Sequence, residues 1–209
     1  MILRAFFSFP NERQFIECQF FWEFRIKYKL GDLIALSDKK NGENTYKVKD
    51  VKGVSIKKTF IETKANMSGV SLTPYLIVKP DYFAYVPVTS RNGNKITIAH
   101  NETDNTYIVS SSYIVFYVNR PNILDSDFLF MYFNRPEFDR YARYHSWGSA
   151  REVFSWDAMC AIELNLPSIE IQKKYVAVFK ALLANNNGTD DVSKICPILV
   201  KGAIEEGGR

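Results

Sequence analysis

The chain has 209 residues, of which 46% are hydrophobic and 15% aromatic, and its net charge is +4. That is enough apolar material for one generous domain with its own core, and it excludes a disordered polyelectrolyte. The small total charge does not by itself argue for a polyanionic partner, but it is uneven: between Asp38 and Lys64 eight lysines face four acids, a surplus equal to that of the whole chain.

In chain order, the start "MILRAFFSFP" has an arginine and a short apolar run that Pro10, Asn11 and Glu12 interrupt before a signal-peptide core is complete. Met1 to Tyr28 is rich in Phe and Trp without a clean period and reads as irregular or strand-rich. "KLGDLIAL", Lys29 to Leu36, reads as one or two helical turns with Asp32 near their start. After the Asn41-Gly42 turn signal, "TYKVKDVKGVSI" alternates as a half-exposed strand does, with its lysines on the wet face. "PYLIVKPDYFAYVPV", Pro74 to Val88, gives two short β-rich runs, and its prolines confine them to strand starts, edges or bulges. A tight Asn92-Gly93 turn, a polar loop from Asn101 to Asn105 and a long β-branched and aromatic run complete a sheet. From Asp125 the period changes to helical: capping aspartates open "DSDFLFMYFNR", Pro136 sits in the first turn of "PEFDRYARYH", and "SWGSA" breaks it. Ser155 caps a short turn, "AIELNL" alternates as a last strand, and Ser168 caps the closing helix. After Asn185-Asn186-Asn187-Gly188 the tail is polar and is expected to fray.

The closing helix carries two apolar stripes. Ile171, Tyr175, Val178 and Leu182 form one, and Ile169, Val176, Phe179 and Leu183 form its neighbour. Together they exceed the wedge of about 100° that a globular helix buries. Either the helix is sandwiched within its own domain, or the second stripe is a seam for another helix, and the two readings predict different oligomers.

Catalytic patterns are missing. No Gly-rich phosphate loop and no GxSxG elbow occurs, and His100 and His145 lack a Ser or Cys partner nearby in sequence. Cys18, Cys160 and Cys196 are odd in number and widely spaced, so neither a disulfide framework nor a zinc site is indicated and a cytoplasmic location is expected. No apolar run approaches the roughly 18 residues of a membrane span. A nuclease reading from Glu62-Thr63-Lys64 and "KPDYF" has its two elements in the reverse of the usual order.

What remains is basic and amide-rich loop chemistry. "SRNGNK" packs Arg91, Asn92, Asn94 and Lys95 around one turn; Arg and Lys donate to guanine O6 and N7, and Asn can bridge adenine N6 and N7. A polar hairpin tip has the same composition. "RYARYHSWGSAR" places Arg143, His145 and Arg151 near Gly148 with Tyr141, Tyr144 and Trp147 among them, which suits phosphate and base contacts, although aromatics at helical spacing are more often core. Lys57, Lys58 and Lys64 suit phosphate neutralisation, with a solvated strand face as the plain alternative.

The order "PYLIVKPDYFAYVPVTSRNGNKITIA", "YIVSSSYIVFYV", "LDSDFLFMYFNRPEFDRYARYHSWGSAREVFSWDAM" and "ELNLPSIEIQKKYVAVFKALL" resembles the specificity subunit of type I restriction-modification enzymes. The most telling pieces are "IVSSSYIVF" and the Leu-Pro-Ser-x-x-x-Gln-Lys-Lys run from Leu166 to Lys174. The resemblance implies a mixed α/β (α+β) fold: a target recognition domain over residues 1–166 with a twisted mixed sheet and flanking helices, a spacer or dimerisation helix over 167–187, and a flexible tail over 188–209. It implies a non-catalytic reader of double-stranded DNA. In that family modification subunits docked on the helices carry S-adenosylmethionine, this chain binds no cofactor, and restriction subunits can join. Such subunits usually carry two recognition domains and two helices in one chain, and this sequence has one of each. It therefore reads as a half-subunit that dimerises through Ile171, Tyr175, Val178, Phe179, Leu182 and Leu183, or as a truncated or silent cassette.

Overall fold

The computed structural model describes residues 27–90, 95–149, 151–185 and 192–208. Its centre is a four-stranded antiparallel sheet in the order β2-β9-β6-β7, built from β2 (Ile34–Leu36), β6 (Phe83–Tyr85), β7 (Ile98–His100) and β9 (Ile114–Val118). All three residues of β6 and of β7 are buried, which is why this stretch is apolar without alternation. Three two-stranded pieces surround it: β1 (Lys27–Lys29) with β10 (Glu163–Asn165), β3 (Lys52–Val54) with β4 (Phe60–Glu62), and β5 (Leu76–Val78) with β8 (Tyr107–Val109). All named strand pairs are antiparallel, and an isolated parallel bridge joins Val51 to Ile108. The mixed α/β class expected from the sequence holds, with the sheet divided into small pieces.

The helices follow the sequence signals. In α1 (Ser126–Phe133) the Asp125 carboxylate accepts from Phe128 N at 3.1 Å. In α2 (Pro136–Tyr144) Pro136 occupies the first turn, and Phe138 and Ala142, four apart, are its buried face. In α3 (Trp156–Cys160) the Ser155 hydroxyl accepts from Ala158 N at 3.1 Å. An aromatic spine joins sheet to helices: Phe83 stacks on Phe116 at 4.9 Å between ring centroids, Phe133 meets Phe83 edge-on at 5.9 Å, and Phe138 lies 4.6 Å from Phe133.

Two expectations are corrected. Lys29–Leu36 is not helical beyond a single 3-10 turn at Leu30–Asp32, because its next residues are drawn into β2 by pairing with β9. Gly31 permits this turn, since a Cβ there would lie 2.8 Å from Cys160 Cβ in α3. The second correction is the tail. Residues Val192–Glu206 form a helix, α5, that packs on α4 (Ile169–Asn185) and on α1. Cys196, Val200 and Ala203 on α5 are fully buried, and this apolar stripe outweighs the polar composition around it. The two helices run antiparallel: Lys174 Nζ lies 2.6 Å from Glu206 Oε1, Tyr175 Oη donates to Glu206 Oε2 at 3.1 Å, and Gly207 sits against Pro167.

The start of α4 is locked into the domain. Gln172 is wholly buried; its amide donates to Ile123 O at 2.8 Å and Pro167 O at 2.9 Å, and its carbonyl accepts from Asp125 N at 2.9 Å. Among the described residues no helix is long and apolar enough to cross a membrane.

Candidate nucleic-acid interface

The two basic loops singled out in the sequence come from opposite halves of the chain, and the fold ties the stretch entering the first to the end of the second. After β6, Pro87 O accepts from Phe154 N at 2.9 Å, and Thr89 donates to Glu152 O through its N–H at 2.9 Å and its hydroxyl at 3.2 Å. Trp147 and Val153 exchange two backbone hydrogen bonds, at 3.0 and 3.2 Å, which closes residues 147–153 into a hairpin. Gly148 makes that hairpin possible: its φ is +141°, and a Cβ there would lie 2.1 Å from Arg151 O.

Several basic and aromatic side chains near this stitch are exposed. Lys95 and Arg151 are exposed, and Arg143 projects from the last turn of α2, where it pairs with Glu152. His145 follows α2 as its C-cap, half-buried, with its ring 4.2 Å from the Tyr141 ring and 5.1 Å from the Tyr144 ring. Tyr144 and Trp147 are 75% and 72% exposed, whereas Tyr141 packs against the core. Large aromatics left in water beside arginines suit stacking on bases or sugars, with the cations positioning phosphates. Helical spacing pointed these rings towards the core; α2 ends at Tyr144, so the last two lie beyond the helix face that is buried.

A family model for the type I restriction modification DNA specificity domain matches residues 22–191. The chain belongs to that family. Among solved structures it is similar to the HsdS subunit from Thermoanaerobacter tengcongensis, with 16% identity and a TM-score of 0.54 over 78% of this chain and 43% of that one. A chain from work on the structural basis of complex assembly and conformational transition of the type I R-M system matches with 11% identity and a TM-score of 0.45, over 88% of this chain and 45% of that one. The present chain thus spans less than half the length of either. No curated protein matches it.

For a DNA specificity domain, the remaining predicted residues sort unequally. Arg91, Asn92 and Asn94 lie outside the described residues. Lys57 and Lys64 are exposed, as phosphate contacts require. Lys58 is the correction: it stands in the β3–β4 turn with φ +62°, is 4% exposed, and drives its ammonium inward onto Asp139 Oδ1 at 2.8 Å and the Phe133 carbonyl at 2.5 Å. Burial holds the Lys58 pKa below the usual lysine range, and the Asp139 carboxylate opposes that shift. Asp139 also accepts from Ile96 N at 3.1 Å, so one carboxylate ties the β3–β4 tip, α2 and the segment after residue 94 together. Lys58 therefore turns its ammonium away from solvent and braces the β3–β4 tip against α2. Glu62, offered for a nuclease, pairs with Lys52 across the β3–β4 ladder.

The proposed subunit-interface stripe is likewise divided. Phe179 is 4% exposed and belongs to the core, because its side of α4 faces α1. Ile171 and Leu183 pack against the same core, and Tyr175 is half-buried with Gly202 of α5 close to its ring. Leu182 is half-buried and Val178 is 43% exposed.

Proposed function

We propose that this chain is a non-catalytic DNA reader that recognises one part of a divided target and presents α4 to modification subunits. The supporting observation is the Thr89–Glu152 stitch, which ties the chain entering one basic loop to the end of the other; in this reading Lys95, Arg143, His145, Trp147 and Arg151 share the DNA-facing surface. In this reading Lys57 and Lys64 neutralise phosphates, Arg91, Asn92 and Asn94 join Lys95 in reading base edges, and each good base contact discriminates by about 1–3 kcal/mol. S-adenosylmethionine and the methyl transfer belong to the modification subunits, which flip the adenine out of the duplex. Restriction subunits are further partners of such an assembly. The deciding experiment is a methylome comparison of cells carrying the modification subunit with and without this chain. A methylated motif that appears only with the chain is the expected result, and an unchanged methylome overturns the reading.

A second reading, an unassembled recognition cassette, is favoured by α5, which covers the Tyr175 flank of α4. Size-exclusion chromatography with the modification subunit separates the two: a reader and scaffold co-elutes, and a cassette elutes alone.

A further inference from the structure

His100 closes β7 at the rim of the central sheet. Its side chain is 0% exposed, its ring stacks on Phe83 at 4.5 Å and tilts over Phe130 at 5.7 Å, and neither ring nitrogen makes a hydrogen bond. A buried polar atom left without a partner costs about 1–3 kcal/mol, so a dry imidazole with two such atoms calls for an explanation. Carboxylates stand around it without bonding to it. Asp127 Oδ1 is 3.4 Å and Glu102 Oε1 3.9 Å from Nδ1, while Asp81 Oδ1 is 3.5 Å from Nε2 on the opposite side of the ring.

We propose that His100 Nδ1, Asp127 and Glu102 form a binding site for a divalent transition-metal ion of the zinc class, with Asp81, 3.5 Å from Nε2, as the positioning residue that would take the Nε2–H once the ion seats the ring. One ligand atom from each of the three lies within 4.8 Å of the others. Ligand atoms about 2.0–2.2 Å from a tetrahedral zinc ion lie roughly 3.3–3.6 Å apart, so the 3.4 Å pair is in place. The 3.9 Å pair closes by a small movement of Glu102, whose side chain is 49% exposed and free to make it. A carboxylate behind the ligating imidazole is the arrangement that sets its tautomer in metal sites. One nitrogen and two carboxylate oxygens favour zinc or its neighbours over magnesium, which demands near-ideal octahedral oxygen coordination. The partial exposure of Glu102 leaves a position for water.

The ion would have a structural role. It would tie the end of β7, the polar loop after it and the first turn of α1 at one point. Asp127 already reaches α4 through its other oxygen, with Lys180 Nζ 2.5 Å from Oδ2, so the site sits where the sheet that carries the loops meets the closing helix. Lys180 is also its competitor, since an ammonium on Asp127 weakens that carboxylate as a ligand.

The test uses the full chain stripped with chelator, titrated with Zn²⁺ against a chromophoric chelator and with Co²⁺ by visible absorption. One equivalent is expected to bind, with millimolar Mg²⁺ failing to displace it. Glu102→Gln alters a half-exposed carboxylate and Asp127→Asn is an isosteric change at a partly buried one, so both should keep the fold by circular dichroism while weakening Zn²⁺ at least tenfold. Lys180→Gln should tighten it several-fold, and His145→Asn should leave it unchanged. No stoichiometric binding, binding unaffected by both carboxylate variants, or a cobalt–thiolate charge-transfer band would each overturn the site.

Discussion

Lys58→Met separates a brace from a DNA contact at one of the most lysine-rich points in the chain. The substitution keeps the apolar stem and removes the ammonium, which leaves Asp139 at 12% side-chain exposure with its cation gone and the Phe133 carbonyl without its donor. Removing one partner of a buried ion pair costs about 3–5 kcal/mol. Asp139 keeps the Ile96 N–H, so we expect the lower end, about 3 kcal/mol, read as a fall in urea midpoint at constant m-value. Asp139→Asn in the same background should recover part of the loss, giving a coupling of about 1–3 kcal/mol in a double-mutant cycle. The neighbouring Lys57→Ala gives the opposite pattern: stability within about 0.5 kcal/mol of the parent, weaker DNA binding across all sequences, and a salt slope reduced by about 1. If Lys58→Met leaves the urea midpoint alone and lowers both DNA affinity and salt slope, the inward ion pair is wrong and the residue reaches phosphate.

Trp147→Ala should change stability by less than about 0.5 kcal/mol because the ring is 72% exposed, yet weaken DNA binding by about 1–3 kcal/mol; unchanged affinity in a gel-shift titration would remove the exposed aromatics from the interface. Gly148→Ala forces a side chain into a positive-φ backbone and against Arg151 O, and should cost about 1–3 kcal/mol in the urea midpoint with a matching loss of DNA affinity; a tolerated alanine would mean that the hairpin has another form. Burial pushes the Cys196 thiol up to about 12, so in a Cys18→Ser, Cys160→Ser background it should react with a thiol reagent only as fast as α5 opens. The unfolded thiol ionises first, so the folded state loses this contribution as pH rises from the ordinary thiol range towards 12, and a urea midpoint flat across that range would contradict the burial.

Local signals were legible wherever the residue acts on its own backbone. Asp125, Pro136 and Ser155 set helix starts by capping or by fixed φ, and each does so in the fold. What the sequence hid is tertiary. Lys58 has the same neighbours in sequence as Lys57, and the choice between solvent and a buried pair is made by Asp139, 81 residues away. The 89–95 and 145–153 loops were each legible as basic, but their joining depends on Thr89 and Glu152 meeting across a gap of 63 residues. His100 has Glu102 two residues on, but that pair alone is no ligand motif, and its other carboxylates, Asp81 and Asp127, arrive from separate segments.

The tail decides how α4 is to be understood. Residues Val192–Glu206 seal α1 and α4 with three fully buried side chains, Cys196, Val200 and Ala203, and with the close approach of Gly202 to the Tyr175 ring. A fully buried Val alone contributes about 1.5–3 kcal/mol, so removing residues 188–209 should lower stability by at least about 3 kcal/mol once the uncovered flank is counted. A frayed tail predicts no change. Comparing urea midpoints of the full chain and of residues 1–187 distinguishes them, and equal midpoints would return α4 to the status of a rod with an open seam. The same pair of proteins in light scattering tests the helix-pairing reading: if Tyr175 is a seam that α5 covers, the shortened chain self-associates at concentrations where the full chain does not. Gly202→Val provides the independent check, because its side chain would meet the Tyr175 ring at about 3 Å and push α5 away while leaving the chain at full length. Self-association on truncation but not on Gly202→Val would point to exposed core rather than to a specific seam.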